Sequence, residues 1–312
     1  MNKNHIILLV GPTAVGKTEI SLEIAESLNA EIISADSRLL YKGMNIGTAK
    51  PTESEMARVP HHLINVAEID QPWSIAVYLK RAFSIVDEIW AQGKLPLFVG
   101  GTGQYIRALI EGWDIPEIPP NPKLRDVVRE WGELIGSQAL YDKLQIIDPK
   151  AAEAIEPNNL RRIVRAFEVI LSTGEMFSLE KGRKAINFNY KIIGLNRDRS
   201  SLYKRIDLRI EKMIDDGFVE EARGLLAAGF TGNEPPLSAI GYKQIIQYIN
   251  GVISLEEAIM IMKRKTRQYV RRQANWFKPD DAKIRWFEAE KANVNEIIAF
   301  IQSRDGWYGE NE

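Results

Sequence analysis

Five consecutive apolar residues, Ile6 to Val10, form the first regular stretch, and their length fits a strand buried on both faces of a parallel sheet. The same short apolar pattern recurs at residues 31–34, just after His61-His62, at Leu95 to Val99 and at residues 190–195. Between these the period changes. Ile20, Ile24 and Leu28 repeat at helical spacing, as do Ile75, Leu79, Ala82, Phe83, Val86, Ile89 and Trp90. Short strands alternating with helices predict an α/β fold with a parallel sheet flanked by helices. From about 119 to 187 no strand pattern occurs, so this stretch reads as an all-helical insertion behind a Pro-rich linker at 114–122. Asn121-Pro122 and Asp148-Pro149 each set a capping side chain before a first-turn proline, and Gly174 suits the end of a helix over 160–172. After residue 195 the pattern is helical to the end of the readable signal. The domains expected are therefore a core of 1–118 with 188–290, an insertion of 119–187 and a tail of 291–312.

The first strand runs directly into Gly11-Pro12-Thr13-Ala14-Val15-Gly16-Lys17-Thr18, which fits G-x-x-x-x-G-K-[ST] at every fixed position. Glycines let the backbone wrap an anion, Lys17 reaches terminal phosphates and the Thr18 hydroxyl can ligate Mg²⁺. The helix that follows points its N-terminus at the anion. The chain is thus expected to be a phosphate-loop protein, whatever phosphate compound it holds. Asp36 ends the second strand, where ligands of open α/β sheets bind, but it suits equally the N-cap of a helix from Ser37 onward. Gly100-Gly101-Thr102-Gly103 ends another strand, either to approach a ligand closely or simply to turn into a helix.

Two basic regions stand out. Arg161, Arg162 and Arg165 cluster on one helix, the arrangement of an ordinary solvated face or of an anion-binding one. Residues 255–278 carry Leu255, Ile259, Met262, Thr266, Tyr269, Gln273 and Trp276 as a mostly apolar stripe, expected to be core. Arg264, Arg267 and Arg271 lie opposite, in a run without acidic residues from Lys263 to Lys278. That arrangement predicts a track for backbone phosphates. Arg205 and Arg209 share a face of the helix expected over 202–216. His61 and His62 are expected to make structural hydrogen bonds.

Composition narrows the class without choosing a function. The chain has 312 residues, a formal net charge of −1 and no cysteine, which excludes disulfides and cysteine zinc sites. The near-neutral balance argues against indiscriminate coating of nucleic acid. The N-terminal apolar run is too short for a signal peptide or a membrane span, so a cytoplasmic protein away from the membrane is expected. A monomer is expected as well.

The loop at 11–18, together with Asp36-Ser37-Arg38-Leu39-Leu40-Tyr41-Lys42-Gly43-Met44-Asn45-Ile46-Gly47-Thr48-Ala49-Lys50-Pro51, resembles the tRNA dimethylallyltransferases. The resemblance continues at Pro60-His61-His62-Leu63-Ile64, Val99 to Gly103, Arg161 to Ala166, Gly241-Tyr242-Lys243 and Thr266-Arg267-Gln268, and so spans about residues 6–278. One departure is Gln104, where the family pattern usually has leucine. The absence of cysteines fits the bacterial type, which lacks a zinc finger. The resemblance implies transfer of a dimethylallyl group from dimethylallyl diphosphate to N6 of adenine 37, beside the tRNA anticodon. It implies Gly11 to Thr18 as the diphosphate site with Mg²⁺ at Thr18, and Asp36, Thr102 and Arg209 as catalytic residues. For tRNA contact it implies Asp36, Ser37, Arg38, Leu39, Thr102, Arg125, Arg161, Ile163, Val164 and the arginines Arg162 and Arg165. The segment Ser238, Ala239, Ile240, Gly241, Tyr242, Lys243 joins them.

Prenyl transfer needs the leaving diphosphate stabilised and a proton taken from the adenine amine. Asp36 is the candidate carboxylate for that proton. Three other readings share the loop: a small-molecule kinase, an adenylate isopentenyltransferase and a non-catalytic RNA-binding NTPase. The arginine-bearing insertion is superfluous for the first two. The segment from Asp36 to Pro51 disfavours the first and third.

Overall fold

The computed structural model describes residues 4–115, 121–179 and 182–309; residues 116–120 of the expected linker and 310–312 of the tail lie outside the described residues. The strands are β1 (His5–Val10), β2 (Ala30–Ser34), β3 (His61–His62), β4 (Leu95–Gly100), β5 (Trp113–Asp114), β6 (Gly182–Arg183), β7 (Asn189–Asn196) and β8 (Ile284–Glu288). The helices of the first half are α1 (Lys17–Leu28), α2 (Glu53–Arg58), α3 (Ile75–Ala91), α4 (Gly103–Ile110), α5 (Pro122–Ile135) and α6 (Ser137–Ile147). Those that follow are α7 (Pro149–Glu153), α8 (Leu160–Thr173), α9 (Arg199–Asp215), α10 (Phe218–Ala227), α11 (Tyr242–Ile249), α12 (Leu255–Gln273) and α13 (Val294–Gln302).

Six strands make one parallel sheet in the order β3-β2-β4-β1-β7-β8. β1 is central, and Ile6 to Val10 are all buried, which is why that stretch has no polar position. Burying each such aliphatic side chain contributes roughly 1.5–3 kcal/mol. The register puts the strand ends level: Val10 pairs with Gly100 and with Gly194, and Ser34 pairs with Val99. The segments leaving β1, β2, β4 and β7 therefore emerge along one edge of the sheet, the place where open α/β sheets bind ligands.

Several details depart from the pattern-based expectation. The strand expected after His61-His62 is His61–His62 itself. Its rings make structural bonds, His61 Nδ1 to the Val59 carbonyl at 2.8 Å and His62 Nε2 to Glu31 at 2.7 Å. β8 is unexpected, because the chain after 195 reads as helical. It is an edge strand with one paired side, so Ile284-Arg285-Trp286-Phe287-Glu288 carries no long apolar run. Within the stretch expected to be purely helical lies β6, which pairs antiparallel over two residues with β5, just before that stretch. Lys191, in β7 and with no exposed surface, donates to the carbonyls of Ile301 and Ser303 at 3.1 and 2.9 Å, satisfying the C-terminus of α13. Burial lowers its pKa to about 8, partly offset by Asp305.

The chain forms two compact units, one of residues 1–73, 78–110 and 186–312, the other of 74–77 and 111–185. The second holds α5 to α8 around its own core of Val128, Leu140, Leu144, Ile155, Ile163 and Phe167. Asn121 and Asp148 cap α5 and α7 through their side chains, each before a proline, and Gly174 ends α8 in the left-handed conformation.

Candidate active site

The loop from Gly11 to Thr18 lies between the end of β1 and the first turn of α1. Gly16 caps α1 at φ 114°, and Ala14 also takes a left-handed conformation at φ 64°, so the backbone curls as an anion nest requires. Lys17 Nζ donates to the carbonyls of Gly11 and Pro12 at 2.9 and 2.8 Å, which folds the ammonium back over the loop. Three arginines bracket the same loop. Arg197 Nε donates to Val15 O at 3.3 Å, Arg205 Nε to Ala14 O at 2.9 Å, and Arg209 to the Thr13 hydroxyl at 3.5 Å and Thr48 O at 3.2 Å. Burial lowers the Lys17 pKa, the Asp36 charge raises it and Arg209 lowers it again, leaving it at about 8. Such a concentration of positive charge fits a doubly or triply charged phosphate compound.

Asp36 caps no helix. Residues 37–40 form a turn, and Asp36 Oδ1 accepts from the Arg38 N–H at 2.9 Å. The turn is held from the end of β4: Thr102 donates its N–H to Ala35 O at 3.2 Å and accepts the Ser37 N–H on its hydroxyl at 3.1 Å. Arg38 donates to the carbonyls of Pro235 and Pro236, both at 3.1 Å, which ties the turn to the segment leading into Ser238. Beneath it Tyr78 and Tyr105 stack at 3.8 Å. Burial, with the Asp36 charge adding to it, pushes the phenols of Tyr78, Tyr105 and Tyr269 up, Tyr269 to about 12.

A cavity of about 500 Å³ joins these groups; Thr13, Ala14, Asp36, Ser37, Arg38, Thr102, Arg209, Ser238, Ala239 and Ile240 all line it. Its far wall is α12. Met262, Thr266, Tyr269, Arg272 and Gln273 face the cavity, with Trp276 just beyond the helix end. Much of the stripe expected to be core is thus the wall of the site. The polar members Thr266, Tyr269 and Gln273, set among apolar neighbours, were the available signal. The close approach at Gly101 and Gly103 is made by the protein itself: a Cβ on Gly101 would lie 2.2 Å from Gln273 Nε2, and one on Gly103 2.2 Å from the Trp276 ring. Gln104, the departure from the family pattern, also lines the cavity. A second cavity of about 330 Å³, lined by Gly11, Pro12, Asn196, Arg197, Phe277 and Trp286 among others, shares Gln273 with the first.

Other residues singled out in the sequence have different surroundings. Tyr242 is buried with its hydroxyl on Glu221, whose carboxylate also accepts the N–H groups of Asn45, Ile46 and Gly47. The loop reaching Gly47 and Thr48 is thereby shaped by Glu221. Leu39 is partly buried, and Gly241 takes φ 105° at the start of α11. In the helical unit, Ile163 and Val164 belong to the core, so their side chains do not offer a surface. Arg161 and Arg162 are exposed. Arg125 and Arg165 converge on the fully buried Glu168, at 2.7 and 2.9 Å. Burial pushes the Glu168 carboxyl up, and bonds from Arg125, Arg165 and the Asn121 N–H overcome this and hold it low. On α12, Arg267 pairs with Asp207, Lys263 with Glu211 at 2.6 Å, and Arg271 donates to the Tyr203 hydroxyl at 3.4 Å. Of the basic face expected to be a phosphate track, Arg267 is committed to Asp207 of α9, while Arg264 and Arg271 remain exposed.

Among the described residues no group of three or more Asp, Glu and His side chains is placed to hold a metal ion. Thr18 sits exposed in the first turn of α1, beside the anion nest. Mg²⁺ takes most of its ligands from phosphate oxygens and water, so a single hydroxyl at this position fits an ion that arrives with a diphosphate.

Among the described residues no helix is long and apolar enough to cross a membrane. Comparison with known proteins gives one answer. Residues 39–280 match the family model described as IPP transferase, and residues 4–72 match that of isopentenyl transferase. The tRNA dimethylallyltransferase of Alkaliphilus metalliredigens is 43% identical over 309 residues, covering 98% of this chain and 99% of the relative. Among solved structures, the full-length tRNA isopentenylpyrophosphate transferase of Bacillus halodurans superposes with a TM-score of 0.71 at 40% identity, covering 96% of each chain. A eukaryotic dimethylallyltransferase acting on tRNA matches with a TM-score of 0.80 at 26% identity, over 95% of this chain and 78% of that one. With a nest for a phosphate compound, a carboxylate across the same cavity and kinship over nearly its whole length, this chain belongs to the IPP transferase family, the tRNA dimethylallyltransferases.

Proposed function

We propose that this protein transfers the dimethylallyl group of dimethylallyl diphosphate to N6 of adenine 37, next to the anticodon of a tRNA, and releases diphosphate. The observation that carries the reading is one cavity bounded by the phosphate loop, Arg209, Asp36 and Thr102. The allylic C–O bond breaks as the N6–C bond forms, and the electrons of the broken bond leave on the diphosphate. Lys17, Arg209 and the loop amides take up that charge in a site already organised for it. Asp36 accepts the N6 proton, which makes a weak, ring-delocalised amine a competent nucleophile. Thr102 keeps the Asp36 turn in place. Mg²⁺, held by Thr18 and the diphosphate, would supply further charge neutralisation of the leaving group.

On the nucleic-acid side, Ser37, Arg38 and the segment Ser238 to Ile240 line the cavity and are assigned, with Leu39 and the exposed Lys243 near them in the chain, to the nucleotides around the target base; Tyr242 is buried and shapes the Gly47 loop through Glu221 instead. The exposed Arg161 and Arg162 of the helical unit are assigned to tRNA phosphates, with Arg125 and Arg165 beside them. Extruding a base already in a loop costs only a few kcal/mol. Incubating the protein with labelled dimethylallyl diphosphate, Mg²⁺ and unmodified tRNA should label the tRNA. Label appearing on ATP or AMP instead, or on nothing, would reject the assignment.

A further inference from the structure

Gln273 is almost fully buried, with 4% of its surface exposed, and both ends of its carboxamide are used. Oε1 accepts the Thr13 N–H at 3.0 Å and Nε2 donates to Gly101 O at 3.0 Å. These partners lie on different loops. β1 and β4 are hydrogen-bonded up to Val10 and Gly100, and beyond that pair the two backbones part, one into the phosphate loop and one into the Thr102 turn. Gln273 spans the gap. From Gly101 the connection continues through Thr102, whose hydroxyl accepts the Ser37 N–H at 3.1 Å beside Asp36. A continuous path therefore runs from the anion nest to the carboxylate turn, and its middle is supplied by α12. Gly101 leaves room for it, since a Cβ there would meet the carboxamide.

We propose that Gln273 is a positioning residue for prenyl transfer: its carboxamide sets the separation between the loop that holds the departing diphosphate and the turn that holds the proton acceptor. This rests on the reaction proposed above. The carboxamide is directional at both ends and almost fully buried, where such bonds are stronger than in water. Displacing reacting groups by about 1 Å costs on the order of 10²-fold in rate. An interaction that only sets this spacing acts on kcat and leaves the binding of each substrate alone.

The test compares wild type, Gln273→Met and Gln273→Glu in single-turnover transfer from labelled dimethylallyl diphosphate to unmodified tRNA, normalised to folded protein by circular dichroism. Gln273→Met fills similar volume without either bond. It should lower the transfer rate about 10- to 100-fold, with tRNA affinity and the KM for dimethylallyl diphosphate within about threefold. Gln273→Glu keeps the acceptor toward Thr13 but faces Gly101 O with a second acceptor, and protonation turns that oxygen back into a donor. Its rate relative to wild type should recover as pH falls. Should Gln273→Met not fold, this recovery is the deciding measurement. Unchanged kcat in Gln273→Met, a raised KM with kcat intact, or a Gln273→Glu defect that ignores pH would each overturn the positioning role. If the wild type itself transfers no label to tRNA, the underlying reaction is wrong and the positioning role falls with it; wild-type transfer separates the two failures.

Discussion

Thr102 and Ser37 are joined by a 3.1 Å hydrogen bond from the Ser37 amide to the Thr102 hydroxyl, linking the ends of β4 and β2. The bond explains how a carboxylate on a short turn is aimed. Arg38 N–H engages one oxygen of Asp36, Oδ1, from within the turn, while Thr102 holds the turn itself from the neighbouring strand.

Asp36→Asn should leave that geometry intact, because Asn also accepts from the Arg38 N–H. What it removes is the carboxylate proposed as the base. Transfer should fall by about 10²–10⁴-fold while dimethylallyl diphosphate and tRNA still bind. Rapid-quench transfer assays beside equilibrium binding decide it; full activity in the mutant would remove Asp36 from the chemistry. A defect that excess Mg²⁺ restores would make it a metal ligand instead.

Lys17 titrates within reach of ordinary buffers. Its folded pKa, about 8, lies below the free value of 10.5 because of burial. Above pH 8 the ligand-free protein loses the ammonium, so affinity for dimethylallyl diphosphate should weaken as pH rises, and binding near pH 8 should take up a proton. Between 8 and 10.5 the unfolded chain binds more protons at this residue, so its contribution to stability rises with pH there. Calorimetry in buffers of different ionisation enthalpy measures the uptake, and Lys17→Ala should abolish it without reducing tRNA affinity.

Arg161 and Arg162 should behave differently from Arg125 and Arg165. Replacing the exposed pair by Ala should weaken tRNA binding and reduce the slope of log affinity against log salt. The reduction should be roughly 0.7–0.9 for each tRNA phosphate that is no longer neutralised. An unchanged slope would return them to an ordinary solvated face.

Glu168→Gln should destabilise the helical unit, since it removes the charge on which Arg125 and Arg165 converge. The Glu168 pKa is held down in the folded state, so its contribution is present above the ordinary carboxylate pKa and fades as pH falls through the lowered one. Thermal melts from neutral to acid pH should show wild type converging on the mutant. Parallel curves would mean that the charge contributes nothing.

The sequence by itself determined the parts of this protein whose cause is local. An apolar run with no polar position has to be buried, so β1 was legible. So were the glycine spacing that lets residues 11–18 curl and the Asn121-Pro122 and Asp148-Pro149 helix starts, because cap and φ are settled within a few residues. The family was legible too, in the run from Asp36 to Pro51. Only the tertiary structure decided which groups meet. Gln273 lies 260 residues from Thr13, in what reads as a core stripe, yet it touches the phosphate loop. Periodicity reports that a helix face is covered; it does not report by what. The acids that pair with Arg267 and Lys263 on α12, Asp207 and Glu211, are on α9 and leave no trace in the run from 263 to 278. β8 stayed hidden for a related reason: an edge strand needs an apolar run on one side at most, and its partner β7 lies about ninety residues away along the chain. Long-range partners of this kind carry no signature in their own neighbourhood, and the folded chain alone brings them together.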